Sequence, residues 1–194
     1  MNPDAQRKLL QRELIPRDDT LKMIGALNDL KARLLALAEE CQLLDDTGRV
    51  PATPSYTELL QHAAEAQALS REVVDLTAEF AGSAHSTNRA GTAVLAHLAT
   101  AATMLSHAAP HFAETAENSL PLNRTSHPDD RHYQGNRMVL DHATARAYLR
   151  RASESLRDAV SELNAHLHFH RFVPAPARQQ NPALPPPPPS ARHR

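Results

Sequence analysis

Apolar residues recur along most of this chain with the three-and-four spacing of an amphipathic helix. The clearest series is Met23, Leu27, Leu30, Leu34, Leu37, Cys41 and Leu44. It predicts a first long helix over about 20–45, opened by the N-cap cluster Asp18-Asp19-Thr20 and closed by Asp45-Asp46-Thr47-Gly48 with Pro51 and Pro54 beyond. A second helix starts at Ser55-Tyr56-Thr57-Glu58, a capping box in which hydroxyl and carboxylate each satisfy an orphaned backbone N–H. Its seam reads Leu59, His62, Ala66, Leu69, Val73, Leu76 and Phe80, and it ends at Gly82-Ser83.

A third helix is expected from about Asn88 to Asn118, with Val94, Leu98, Ala101, Leu105, Ala108 and Phe112 inward. Pro110 lies inside it and predicts a kink or break near 106–110, because proline removes an intrahelical bond and crowds the preceding turn. Residues 119–136 are polar and interrupted by proline, and read as a long loop. The fourth helix spans about 137–170, with Ala145, Leu149, Ala152, Leu156, Ala159 or Val160, Leu163, and His166 or Leu167 facing in.

Two flanks complete the chain. Residues 4–15 read as a short amphipathic helix through Leu9, Leu10 and Leu14, stopped by Pro16. Beyond Arg171, Pro174-Ala175-Pro176 and the run Pro185 to Pro189 suit only extended polyproline or disordered chain. The organisation is thus an N-terminal arm over 1–17, a bundle over 18–172 and a proline-rich tail over 173–194. Four striped helices must bury their stripes against one another, and two of their three connections are short. An all-α, up-down-up-down antiparallel four-helix bundle follows.

Composition supports helices and argues against sheets. The 194 residues include 33 Ala and 26 Leu but only 2 Ile and 7 Val, and aromatics make up 4% with no Trp. Ala and Leu favour helices, whereas strands draw on β-branched and aromatic side chains. Five Gly and no glycine-rich phosphate loop remove the common nucleotide-binding motifs. A net charge of −1 and a pI near 6.9 supply no bulk field for nucleic acid or an anionic membrane. No signal-like or membrane-spanning apolar stretch is visible, so the chain reads as cytoplasmic. The excess of Arg over Lys, 18 to 3, looks like GC-rich coding.

The chemistry on offer is mostly histidine, at twelve residues. In the expected topology His62, His111 and His142 lie at similar depths below one end of the bundle, about 8–10 Å at about 1.5 Å per residue. His62 and His142 fall in the phase of their inward seams, while His107 joins His111 as an i, i+4 pair on a flank of the stripe. Convergence of His62, His107, His111 and His142 between helices would suit a divalent metal such as zinc, nickel or iron, with Glu114 or Asp141 as a supporting carboxylate or base. Metal-dependent bundles of the DinB-like type use three histidines between helices in this general manner, although no motif links this chain to them. The plainer account is that half-buried histidines often end a helix seam.

Other chemistry is weaker. His166, His168 and His170 end the fourth helix and suit its free carbonyls and dipole. Cys41, the single cysteine, falls on the inward seam and reads as an inert thiol. Arg137, Arg146, Arg150, Arg151 and Arg157 are interspersed with Asp141, Glu154, Asp158 and Glu162, which reads as a salt-laced solvated face rather than a nucleic-acid surface. Arginines around the prolines of the tail make either a partner-docking segment or a spacer. The functional expectation is a bundle acting through a protein partner or self-association, with the regular first helix as the contact and no catalysis. A metal-dependent bundle enzyme or metal-binding protein and a nucleic-acid-associated regulator are the alternatives.

Overall fold

The computed structural model describes residues 14–125 and 127–169. Most of the N-terminal helix expected over 4–15, His170 and the proline-rich tail lie outside the described residues. The remainder contains four α-helices: α1 (Arg17–Glu40), α2 (Tyr56–Ala81), α3 (Arg89–Leu122) and α4 (Pro128–Phe169). Among the described residues there is no strand, and no helix is long and apolar enough to cross a membrane.

The expected seams form the core. Leu27, Leu30, Leu34 and Leu37 of α1, Leu69 and Val73 of α2, Leu98, Leu105 and Phe112 of α3, and Leu149, Leu156 and Leu163 of α4 are all buried in one cluster. A second cluster, Leu43, Leu59, Ala116, Leu122 and Met138, closes the end of the bundle that carries the 41–55 and 123–127 connections. α4 packs on α1 and α3, and α3 packs on α2, whereas α1 and α2 meet at few points.

Cross-helix contacts fix how these elements meet. The backbone N–H of Ile15, just before α1, donates to Nε2 of His166 near the end of α4 at 3.0 Å. At the other end of α1, Nε of Arg146 donates to the Ala38 carbonyl at 2.7 Å. α1 has no basic residue in its last turn, so Arg146 of α4 satisfies one of the carbonyls that a helix C-terminus leaves without an intrahelical partner. His166 therefore has a structural role, as expected, although its bond runs to the Ile15 backbone rather than to its own helix end. His168 is exposed, on a different face.

Several boundaries differ from expectation. Leu14 to Pro16 are not helical, and α1 opens after Pro16 with Asp18 and Asp19 in its first turn and no side-chain cap bond. Acidic residues there favour the positive end of the helix dipole without capping it. α1 stops at Glu40 instead of near 45: the chain turns extended at Cys41, and beyond it Oδ1 of Asp45 organises a turn by accepting from the backbone N–H and hydroxyl of Thr47 and the N–H of Arg49. Gly48, at φ +74°, completes that turn. The consequence is that Leu43 is buried from the loop while Leu44, expected on the seam, is 43% exposed.

The long loop expected over 119–136 does not exist. α3 continues through Ser119 and Pro121 to Leu122, and α4 begins at Pro128, nine residues before the expected 137. Proline is tolerated in a first helical turn, whose N–H groups have no intrahelical acceptor, and Asp129 and Asp130 add favourable charge there. Burial of Leu122 and Met138 in the end cluster secures both extensions against their polar composition. α3 also runs without a break through Pro110, which sits at the surface beside Ala63 and Ala64 of α2. The caps Ser55 and Asn88 are as expected for Ser55 and observed for Asn88, each accepting a backbone N–H three residues on. Gly91 follows the second cap, and any Cβ there would lie 2.0 Å from the His85 carbonyl oxygen, so the 82–88 connection folds tightly over the start of α3.

Candidate functional site

Adjacent residues on a helix point about 100° apart, and this divides the expected histidine cluster in two. Phe112 of α3 and His142 of α4 face the core, where they meet His62 of α2. The His62 and His142 rings are 6.2 Å apart, and Phe112 lies edge-on to both at 5.8 and 5.5 Å. His111 of α3 and Asp141 of α4, one residue away on each helix, face the flank of the same seam.

The core pair is apolar in its surroundings. His142 is only 4% exposed and His62 is half-buried. Nδ1 of His62 and Nε2 of His142 are buried and have no hydrogen-bond partner in the protein. Burial pushes the His142 imidazole down to about 4, helped by the nearby Arg146 and His62 charges. Burial also lowers His62, against the opposing influence of Glu65 and Glu58. Both rings are therefore neutral near pH 7, as a metal or a buried hydrogen bond would require.

The flank is polar and organised. Nδ1 of His111 is 3.1 Å from Oε2 of Glu114 and 3.8 Å from Oδ1 of Asp141. The amide of Asn118 donates to Oδ2 of Asp141 at 3.1 Å, with Nε of Arg137 3.9 Å from the same oxygen. Tyr148 stacks on the His111 ring at 5.8 Å and 11°, and touches His107 at 5.3 Å. Burial raises the Asp141 carboxyl above its ordinary range, as does the charge of Glu114, while Arg137, His111 and Asn118 oppose this.

Of the four histidines expected to converge, the structure thus joins His62 to His142 and brings His107 and His111 together around Tyr148. Among the described residues, the three potential ligands whose donor atoms lie within 4.8 Å of one another are His111, Glu114 and Asp141. Glu114 and Asp141, expected as supporting groups, stand where ligands would. Sequence reasoning missed Asn118 and Tyr148. Their signal was present in the i, i+4 spacing of Glu114 with Asn118 and the i, i+7 spacing of Asp141 with Tyr148, but it becomes useful only once the register between α3 and α4 is known.

A different feature lies where α1 and α2 stand apart. A cleft of about 490 Å³ opens between them, with Ile15, Met23, Leu76, Phe80 and Leu163 supplying apolar surface and exposed Asp19, Lys22 and Glu79 supplying charge of both signs. At the other end, His62 also lines a smaller cavity of about 260 Å³ beside Glu40, Leu43 and Glu58. Cys41 is fully buried, and burial pushes its thiol up to about 12, which makes it inert as a nucleophile. Comparison with protein-family models, with curated proteins and with solved structures gives no match.

Proposed function

We propose that this chain is a non-catalytic binding module of the cytoplasm: an up-down-up-down antiparallel four-helix bundle whose open α1/α2 seam receives an amphipathic helix of a partner protein. The observation that carries the reading is the cleft between α1 and α2. It is the side of the bundle where two apolar stripes fail to close on each other, leaving Met23 and Leu76 half-buried. Its apolar surface with flanking charges of both signs matches the stripe and polar edges of a third helix lying in a helix–helix groove. Antiparallel pairing is supported by contacts of the segment opening α1 with the end of α4, and of the ends of α1 and α3 with the N-terminal half of α4: Ile15 with His166, Ala38 with Arg146, and Asn118 with Asp141.

Site-specific photocrosslinking tests the proposal on the full chain. A photoreactive residue at Ala26, an exposed position lining the cleft, is expected to give a heterologous protein adduct that Met23→Arg abolishes. The same probe at Ala147, exposed on α4, is expected to give none. An adduct with a second copy would replace the partner by self-association. Absence of any adduct that depends on Met23 would overturn the proposal.

A further inference from the structure

We propose that His111, Glu114 and Asp141 form a binding site for one divalent transition-metal ion of the zinc class, clamped between α3 and α4. The donor set is one imidazole and two carboxylates, contributed by both helices, so an ion held there would bridge them. Bonds of about 2.0–2.2 Å to nitrogen and oxygen place neighbouring ligand atoms about 3.0–3.5 Å apart. The observed separations from Nδ1 of His111 are 3.1 Å to Glu114, inside that range, and 3.8 Å to Asp141, about 0.3 Å beyond it. All three donor atoms fit within 4.8 Å of one another, so side-chain adjustments of a few tenths of an ångström at His111 and Asp141, with rotation of the exposed Glu114, would close the set.

What distinguishes this corner from a solvated acidic patch is that its ligands are oriented by other groups. The Asp141 side chain is only 16% exposed, and Asn118 holds its Oδ2, leaving Oδ1 toward His111. The Tyr148 ring lies parallel to the His111 imidazole and offset from it, with centroids 5.8 Å apart. Groups that fix the rotamer of a first ligand in this way are what metal sites use to keep their geometry. An imidazole donor favours zinc and its neighbours over magnesium or calcium, which prefer all-oxygen surroundings. This inference is independent of the α1/α2 cleft: the two lie on different seams of the bundle.

The test is calorimetric titration of the full chain with Zn²⁺, beside Asp141→Asn, Glu114→Gln and His107→Ala. Saturable binding is expected, with an affinity at least tenfold weaker in both Asp141→Asn and Glu114→Gln and unchanged in His107→Ala. Zn²⁺ should also raise the Tm of the wild type, and the increment should be lost in Asp141→Asn. Glu114 is largely exposed, so Glu114→Gln keeps the test decisive even if the Asp141 variant is poorly folded. Zn²⁺ bound equally well by Glu114→Gln and the wild type would place the metal elsewhere and overturn the proposal, as would the absence of saturable binding.

Discussion

The α3/α4 seam and the α1/α2 seam are built from the same kind of stripe and come out differently. α3 and α4 place alanines among their inward leucines: Ala101 and Ala108 on one, Ala145, Ala152 and Ala159 on the other, all fully buried. Small residues let two helices approach, so groups at the edge of the stripe come within hydrogen-bond reach, and Asn118 meets Asp141. α1 instead carries Leu27, Leu30, Leu34 and Leu37, and it faces Leu76 and Phe80 of α2 around a cleft. At the open end Met23 stands across from Leu76 and Phe80, while farther along the same two helices Ala38, Ala63 and Ala66 are buried. Residue volume at the facing positions, large where the cleft opens, is the difference to test.

The largest test of the comparison is acidification, because the closed part of the bundle traps imidazoles. Neutral His142, held near a pKa of about 4, would take up a proton more readily in the unfolded chain, at the ordinary value of 6.5. The unfolded state then binds more protons than the folded one between these values, so stability is complete above about pH 6.5 and falls as pH drops toward 4. The difference between the two values corresponds to about 3 kcal/mol from this residue. His62 acts in the same direction. Urea unfolding at pH 7 and pH 4.5 should show the loss, and His142→Leu should flatten the dependence; an equally steep profile in that variant would assign the acid sensitivity elsewhere.

Enlarging an alanine probes the seams directly. Ala152→Leu, in the closed seam, is expected to cost about 1–3 kcal/mol through overpacking, measured as a lower urea midpoint at constant m-value. Ala26→Leu, beside the open cleft, should stay within about 0.5 kcal/mol of the wild type. Equal costs at both positions would mean that the α1/α2 side is as tightly packed as the other, and the volume argument would fall.

Much of this was legible in the chain and some was not. The seams, the cap at Ser55, the start of α3 near Asn88 and the buried Cys41 follow from spacing and residue type, because each depends on neighbours within a turn or two. The ends of α3 and α4 did not, since residues 128–136 are polar and only Met138 and Leu122, packing on Leu43 and Leu59 from far along the chain, justify the helix. The end of α1 was missed because the chain turns extended at Cys41, four residues before the Asp45 turn, and buries Leu43 from outside the helix. The histidines were placed at the right depth, with His62 and His142 inward and His107 and His111 on the flank, but the four do not converge on one point. Depth follows from rise per residue and the side of the seam from helical phase, whereas whether inward and flanking groups of different helices reach one another depends on crossing angle and rotation, which periodicity alone does not fix.

The smallest expected effect falls on the ion pair that spans the open seam. Arg33 and Glu72 meet through both guanidinium nitrogens and both carboxylate oxygens, and the bond to Arg33 holds the Glu72 carboxyl below its ordinary range. Both side chains are nearly half exposed, so water competes for the charges and salt screens them. Glu72→Ala should therefore cost less than about 1 kcal/mol in urea unfolding, and the difference should shrink further in 0.5 M salt, a concentration on the order of several times physiological. If the pair were instead the main tie between α1 and α2, its loss would exceed that of Ala152→Leu and photocrosslinking from Ala26 would change with it. A small loss would leave α1 held chiefly by α4, through its leucine stripe and the Arg146 bond to Ala38. That arrangement lets the α1/α2 side admit another helix without the bundle coming apart.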